Sequence, residues 1–172
     1  RIEDNEDSLL ILSRIELVSF SHSLFSVYEE DKRLTFLFET NKAKIYADMD
    51  AIKLGVILDS LLSNAVKFTP DGGSIRLSLF YREETGLVDI CVSDTGSGIP
   101  PRDIPYIFQR FFQSPHSGNK EGTGIGLYLV KTYTELHGGH ITGVTSEEGK
   151  GTSVGLNIPV IACLLYTSDA AD

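Results

Sequence analysis

Apolar and polar positions along this chain repeat with two different periods. Residues 16 to 30, ELVSFSHSLFSVYEE, carry Leu17, Phe20, Leu24, Val27 and Tyr28 at the spacing of one helix face. Two short β-rich runs follow, LTFLF from Leu34 and KAKIYA from Lys42, and the turn-like ETN between them predicts a strand pair. Asp48 then suits an N-cap for a long helix that reaches about Phe68 and is stopped by Pro70 and DGG. Its apolar face is Leu54, Leu58, Leu61, Leu62 and Ala65. The period then shortens to two. Ile75, Leu77 and Leu79 alternate in one run and Val88, Ile90 and Val92 in the next, joined through EETG, which predicts a hairpin with one buried face. A last helix over about 124 to 137 precedes GGHITGV, and Val154, Leu156 and Ile158 alternate again in GTSVGLNIP. Helices mixed with meandering strands favour a two-layer sandwich with helices on one face of a mixed sheet.

Composition narrows this picture. A chain of 172 residues with 41% hydrophobic and 23% charged residues is the size and make-up of one ordinary globular domain. The net charge of -9 excludes a nonspecific nucleic-acid binder, which needs a basic surface. Cys91 and Cys163 are too few for a disulfide framework; Cys91, inside a strand-like run, reads as a small buried thiol, and a reducing compartment fits. The apolar run VIACLL is far too short to cross a bilayer, no signal peptide opens the chain, and without an initiator Met it reads as a piece of something longer.

Four stretches could carry chemistry. On the long helix, Ser60, Asn64 and Lys67 fall within roughly 60° of one another and make a polar stripe beside the apolar one. Asn64 offers a hard amide oxygen to Mg²⁺ and Lys67 a positive charge to phosphate. The stripe reads equally as the solvated face of any amphipathic helix. In VSDTGSGIP a strand ends at Asp94, with Gly96 and Gly98 close behind. A carboxylate only accepts hydrogen bonds, so it can take one from an exocyclic amine such as adenine's, and the glycines would let backbone approach a flat ring. A plain turn after a strand fits the same letters.

EGTGIGL, from Glu121 to Leu127, is not a dinucleotide fingerprint, because that spacing needs glycine at Leu127 or at Leu129 and a preceding strand. It is not a P-loop either, lacking Gly-Lys-Ser/Thr. What remains is a loop feeding glycines into a helix N-terminus, where free N–H groups and the helix dipole favour an anion. The fourth stretch, EEGKGTSVGL, places Gly149, Gly151 and Thr152 at the entry to the last strand and by itself reads as a hairpin turn.

In order and spacing these stretches resemble the ATP-binding catalytic domain of sensor histidine kinases, of the Bergerat-fold superfamily. LLSNAVKFTP is similar to that family's N-box, DTGSGIP to its G1 box, IFQRFF to its F-box, GTGIGL to its G2 box and GTSVGL to its final glycine box, with ELHGGHI at the expected place. The likeness implies an α+β fold: a two-layer α/β sandwich with a mixed, mostly antiparallel sheet and helices on one face. It implies ATP and Mg²⁺ as ligands, with Asn64 on Mg²⁺, Ser60 on it through water, and Lys67 on phosphates. Asp94 would bind the adenine amine, with Gly96, Gly98 and Thr152 completing the base pocket. Gly122, Thr123, Gly124, Ile125, Gly126 and Leu127 would form the phosphate side and lid hinge. Phe112 to Glu121 would span the lid, Phe108 and Phe111 anchoring it in an apolar groove, and Arg110 would reach phosphate. Phe108 as ordinary core and Arg110 as a solvated surface residue fit the letters equally.

One position departs from the family pattern, which often has a second Asn where this chain has Ser60. Relatives that hydrolyse ATP use a glutamate there to activate water, and serine cannot be that base. The resemblance therefore implies transfer of the γ-phosphoryl group to a histidine. Its rivals are a nucleotide-sensing scaffold module without catalysis and an ATPase of the same superfamily. None of His22, His116, His137 and His140 stands in an acidic acceptor context, so all four read as structural or surface residues.

The expected partners are dimerisation helices that carry the acceptor, on the same or a partner kinase chain, and a response regulator or receiver domain. No nucleic acid and no direct membrane contact are expected, and the fragment would be a cytoplasmic monomer. Residues 1–8 would close the dimerisation helix, 9–160 form the catalytic domain and 161–172 a non-native tail. Within that tail CLLYTSDAAD resembles a translated sequencing adapter.

Overall fold

A computed structural model describes residues 9–113 and 124–160. The elements run β1 (Leu12–Glu16), α1 (Leu17–Tyr28), β2 (Thr35–Thr40), β3 (Tyr46–Asp50), α2 (Ala51–Phe68), β4 (Ser74–Arg82) and β5 (Leu87–Asp94). After a 3₁₀ turn at Ile104–Tyr106 come α3 (Gly126–Leu136), β6 (His140–Glu147) and β7 (Gly151–Pro159). The main sheet has five strands in the order β2-β4-β5-β7-β6, parallel only between β2 and β4.

Alternation decides which face is covered. Ile75, Leu77, Leu79 and Tyr81 of β4, Val88, Ile90 and Val92 of β5 and Val154, Leu156 and Ile158 of β7 are all buried. They share one core with Leu17 and Phe25 of α1, Val130 of α3 and Leu54, Ile57, Leu58, Leu61, Leu62 and Ala65 of α2. The apolar face read for α2 is therefore the packed one, with Ile57 added. The β4–β5 hairpin also forms as expected, with Ile75 opposite Asp94 at its open end. Cys91 differs from expectation: it has the parity of the far face and is only half-buried, with Sγ 3.6 Å from Ser93 Oγ.

The expected strand pair does not form. β2 lies parallel to β4, while β3 pairs antiparallel with β1 in a separate two-stranded sheet. Asn41 explains the divergence: its side chain donates to the Tyr81 carbonyl at 2.9 Å and accepts from the Tyr81 N–H at 2.8 Å, continuing the β2–β4 ladder where a hairpin would turn back. β1 left no trace in the pattern because Leu12, Ser13 and Arg14 are all exposed.

The helix starts also shift. Asp50, not Asp48, caps α2, its Oδ1 accepting the Lys53 N–H at 3.0 Å. Asp48 is still in β3 and pairs with Arg14 at 2.7 Å. Glu16 caps α1 by accepting the Val18 and Ser19 N–H groups, and takes the Ile45 N–H as well.

Candidate nucleotide-binding site

The end expected to take the base lies where β5 and β7 run side by side. Asp94 and Thr152 are cross-strand partners, and Asp94 Oδ1 accepts the Gly96 N–H at 2.8 Å and the Thr152 N–H at 3.2 Å. Burial pushes the Asp94 carboxyl above the usual carboxylate range, and these two N–H bonds only partly oppose it. Its second oxygen accepts no hydrogen bond among the described residues, which leaves an acceptor on a half-buried carboxylate at the strand end.

The turn after β5 is held on both sides. Ser97 N–H donates to the Phe68 carbonyl at the end of α2 at 3.1 Å, and the Gly149 N–H donates to the Ser97 carbonyl at 2.8 Å. Ile99 N–H donates to Ser146 Oγ at 2.7 Å. This packing gives the glycines a reason of its own. A Cβ on Gly98, whose φ is +79°, would stand 2.3 Å from the Glu147 carbonyl oxygen, and one on Gly151 would stand 2.0 Å from the Asp94 carbonyl oxygen. The missing side chains make room for neighbouring backbone.

The end expected to take phosphate is formed by α2 and the start of α3. Ser60, Asn64 and Lys67 are half-buried on α2, and no hydrogen bond reaches the Asn64 amide among the described residues. A Cβ on Gly126 would lie 3.5 Å from both Cβ and Oγ of Ser60, so the first turn of α3 faces the polar stripe. No side chain caps α3 at Ile125, and no acidic residue sits in its first turn. A helix N-terminus carries a partial positive charge, and here it is directed at the polar stripe of α2. Lys67 Nζ lies 5.2 Å from the Phe68 ring centroid. Among the described residues no group of three or more His, Cys, Asp or Glu could hold a metal ion.

Arg110 is exposed beside α3, its guanidinium 5.0 Å from the Phe111 ring and 5.7 Å from the Tyr128 ring. Phe111 has φ +67° and donates its N–H to the Gly124 carbonyl at 2.8 Å. Its ring is 62% exposed, so it does not occupy an apolar groove here, whereas Phe108 packs against the core. Leu127 also packs against the core, while Ile125 is half-buried at the helix start. Gly122 and Thr123, most of the expected lid, His116 and the terminal decapeptide lie outside the described residues.

The other histidines have structural partners. His137 Nδ1 lies 2.8 Å from the Tyr133 carbonyl, its Nε2 accepts the Asp50 N–H at 3.1 Å, and His22 meets Phe38 edge to face. His140 lies beside Asn157, 3.5 Å from its amide nitrogen. Ser146 escaped the sequence reading, although alternation along HITGVTSE puts it on the face of Val144, directly opposite Thr152.

A family model described as Histidine kinase-, DNA gyrase B-, and HSP90-like ATPase matches residues 49–162. The chain belongs to that family. Among relatives of this ATPase domain, the sensor histidine kinase WalK of Bacillus subtilis is 32% identical over 160 residues, covering 91% of the chain and 26% of WalK. The chain thus spans about a quarter of that relative's length. The catalytic domain of the histidine kinase ThkA shares the fold with a TM-score of 0.75 at 24% identity, covering 87% of this chain and 96% of that one. Full-length ShkA in complex with AMPPNP has a TM-score of 0.75 at 26% identity, over 88% of this chain and 32% of ShkA.

Proposed function

We propose that the chain is the catalytic domain of a sensor histidine kinase, which binds ATP and donates its γ-phosphoryl group to a histidine on dimerisation helices. The observation that carries this reading is the pairing of the half-buried Asp94 carboxylate at the end of β5 with the α3 N-terminus, whose first turn faces the Ser60, Asn64 and Lys67 stripe. One end fits an exocyclic amine and the other a polyphosphate. Asp94 Oδ2 takes the adenine amine, and the α3 N–H groups and Lys67 receive the phosphate charge. Mg²⁺, when bound, neutralises charge on the phosphates, and Asn64 supplies its protein oxygen. Arg110 reaches the same phosphates from the end of the F-box, and Gly124 to Gly126 lead the chain into the helix end that meets them. Catalysis then consists mainly of positioning and charge stabilisation.

Hydrolysis is the weaker reading. Ser60 cannot deprotonate water, and its neighbour Asp59 is bound by the Tyr28 hydroxyl. The acceptor module and a response regulator are the expected partners, in the cytoplasm. Among the described residues no helix is long and apolar enough to cross a membrane.

Radiolabel transfer tests the proposal. The domain joined to a dimerisation module with an acceptor histidine should label that histidine from γ-labelled ATP, and Asn64→Ala should reduce labelling at least a hundredfold. Absence of label in both proteins, with ATP bound, would leave a nucleotide-sensing module.

A further inference from the structure

Ser146 brings three parts of the base end together. On β6 it stands directly opposite Thr152 on β7. Its Oγ accepts the Ile99 N–H at 2.7 Å and lies 2.9 Å from Thr152 Oγ1 and 3.2 Å from the Gly151 carbonyl oxygen. A serine hydroxyl has one proton to give, so those two acceptors compete for it. The choice sets the direction of the Thr152 hydroxyl. If Ser146 donates to Gly151, Thr152 donates back to Ser146 and presents a lone pair to its surroundings. If Ser146 donates to Thr152, the Thr152 proton is released toward the ligand.

The chemistry of adenine selects between these states. Its amine is a donor suited to Asp94, and the neighbouring ring nitrogen N1 is an acceptor. The hydroxyl beside Asp94 belongs to Thr152, whose backbone N–H already binds that carboxylate. For Thr152 to donate to N1 its own oxygen must be satisfied from behind, and Ser146 is placed to do so while its own oxygen is satisfied by Ile99. We propose that Ser146 is a positioning residue for base recognition, which donates to Thr152 Oγ1 and thereby holds that hydroxyl as the donor to N1 of adenine. The inference rests on the adenine reading of the site. It adds a second determinant, independent of the amine.

Calorimetric binding of three nucleotides to this chain separates the two ideas. ADP against GDP tests the adenine reading. ADP against 1-deaza-ADP, in which N1 is replaced by C–H, tests the hydroxyl relay. The parent should prefer ADP to 1-deaza-ADP by about tenfold, the effect of one hydrogen bond at the upper end of its usual range. Ser146→Ala should lower that preference to about twofold or less, and Ser146→Thr, which keeps a hydroxyl, should retain most of it. Should Ser146→Ala fail to give the parent's circular dichroism, Ser146→Cys, of similar size with a weak donor, carries the comparison with the same expected loss. Equal weakening of ADP and 1-deaza-ADP would make Ser146 a structural brace and overturn the proposal. So would a parent that prefers ADP to GDP yet does not distinguish 1-deaza-ADP, and there the adenine reading would stand. A parent that binds ADP and GDP equally would remove both.

Discussion

Asp94 shows what one carboxylate gains and loses by burial. Desolvation raises its pKa, so its ionised, acceptor-only form is given up at a higher pH than for an exposed aspartate. If Asp94 takes the adenine amine as proposed, its protonation puts a donor opposite that amine and adenine affinity should fall. Asp50 and Glu16 behave oppositely. Burial alone would raise both, but the Ile11 and Lys53 N–H groups with the Lys53 ammonium hold Asp50 below its ordinary value, and the Ile45, Ser19 and Val18 N–H groups do so for Glu16. Their contribution to stability is present above the unfolded-state pKa and lost as pH falls through the depressed folded values. Acidification should therefore weaken ADP binding before it unfolds the domain. Calorimetry and circular dichroism at matched pH steps would check the order, and simultaneous loss of both signals would contradict it.

At the scale of elements, Asp50 joins β1, α2 and α3. Its Oδ2 accepts the Ile11 N–H at 2.9 Å, its Oδ1 caps α2, and its own N–H donates to His137 after α3. Asp50→Ala removes the acceptor of the part-buried Ile11 and Lys53 N–H groups, the second of them the α2 cap, and should cost about 2 kcal/mol in urea unfolding. Asp48→Ala, which removes only an exposed ion pair with Arg14, should change stability by less than about 1 kcal/mol. Reversed sizes would restore Asp48 as the cap. The two aspartates also show where sequence reading stops. Helix periodicity locates α2 to within a turn, but which Asp caps it depends on how far β3 continues, and that is decided by its pairing with β1. The exposed LSR of β1 carries no alternation, so the true partner of β3 was hidden while the β4–β5 hairpin was plain. In the site the same division holds. Asp94 was legible as a carboxylate ending an alternating strand, whereas Ser146 acquires its role only through the β6–β7 register.

For the molecule as a whole, one core under one sheet face positions both ends of the candidate site. α2 supplies the apolar rows of that core and, on another face, the polar stripe, so its packing and its chemistry cannot shift separately. The turn after β5 is wedged between the end of α2 and the β6–β7 hairpin, with Gly98 and Gly151 at the tightest points. Gly151→Ala, at φ +132° and with a Cβ 2.0 Å from the Asp94 carbonyl oxygen, should lower the thermal midpoint by at least about 8 °C without any nucleotide. A scanning-calorimetry midpoint equal to the parent's would show that the backbone relaxes there at little cost.

Those two close approaches bear on how a mutational scan of this domain would be interpreted. Variants at Gly98 and Gly151 would disappear from a screen that scores only cellular abundance, with no kinase reporter present. The spelling of the glycine boxes would then emerge as a folding requirement, and the positions that respond to signalling output alone would mark the residues that meet the ligand.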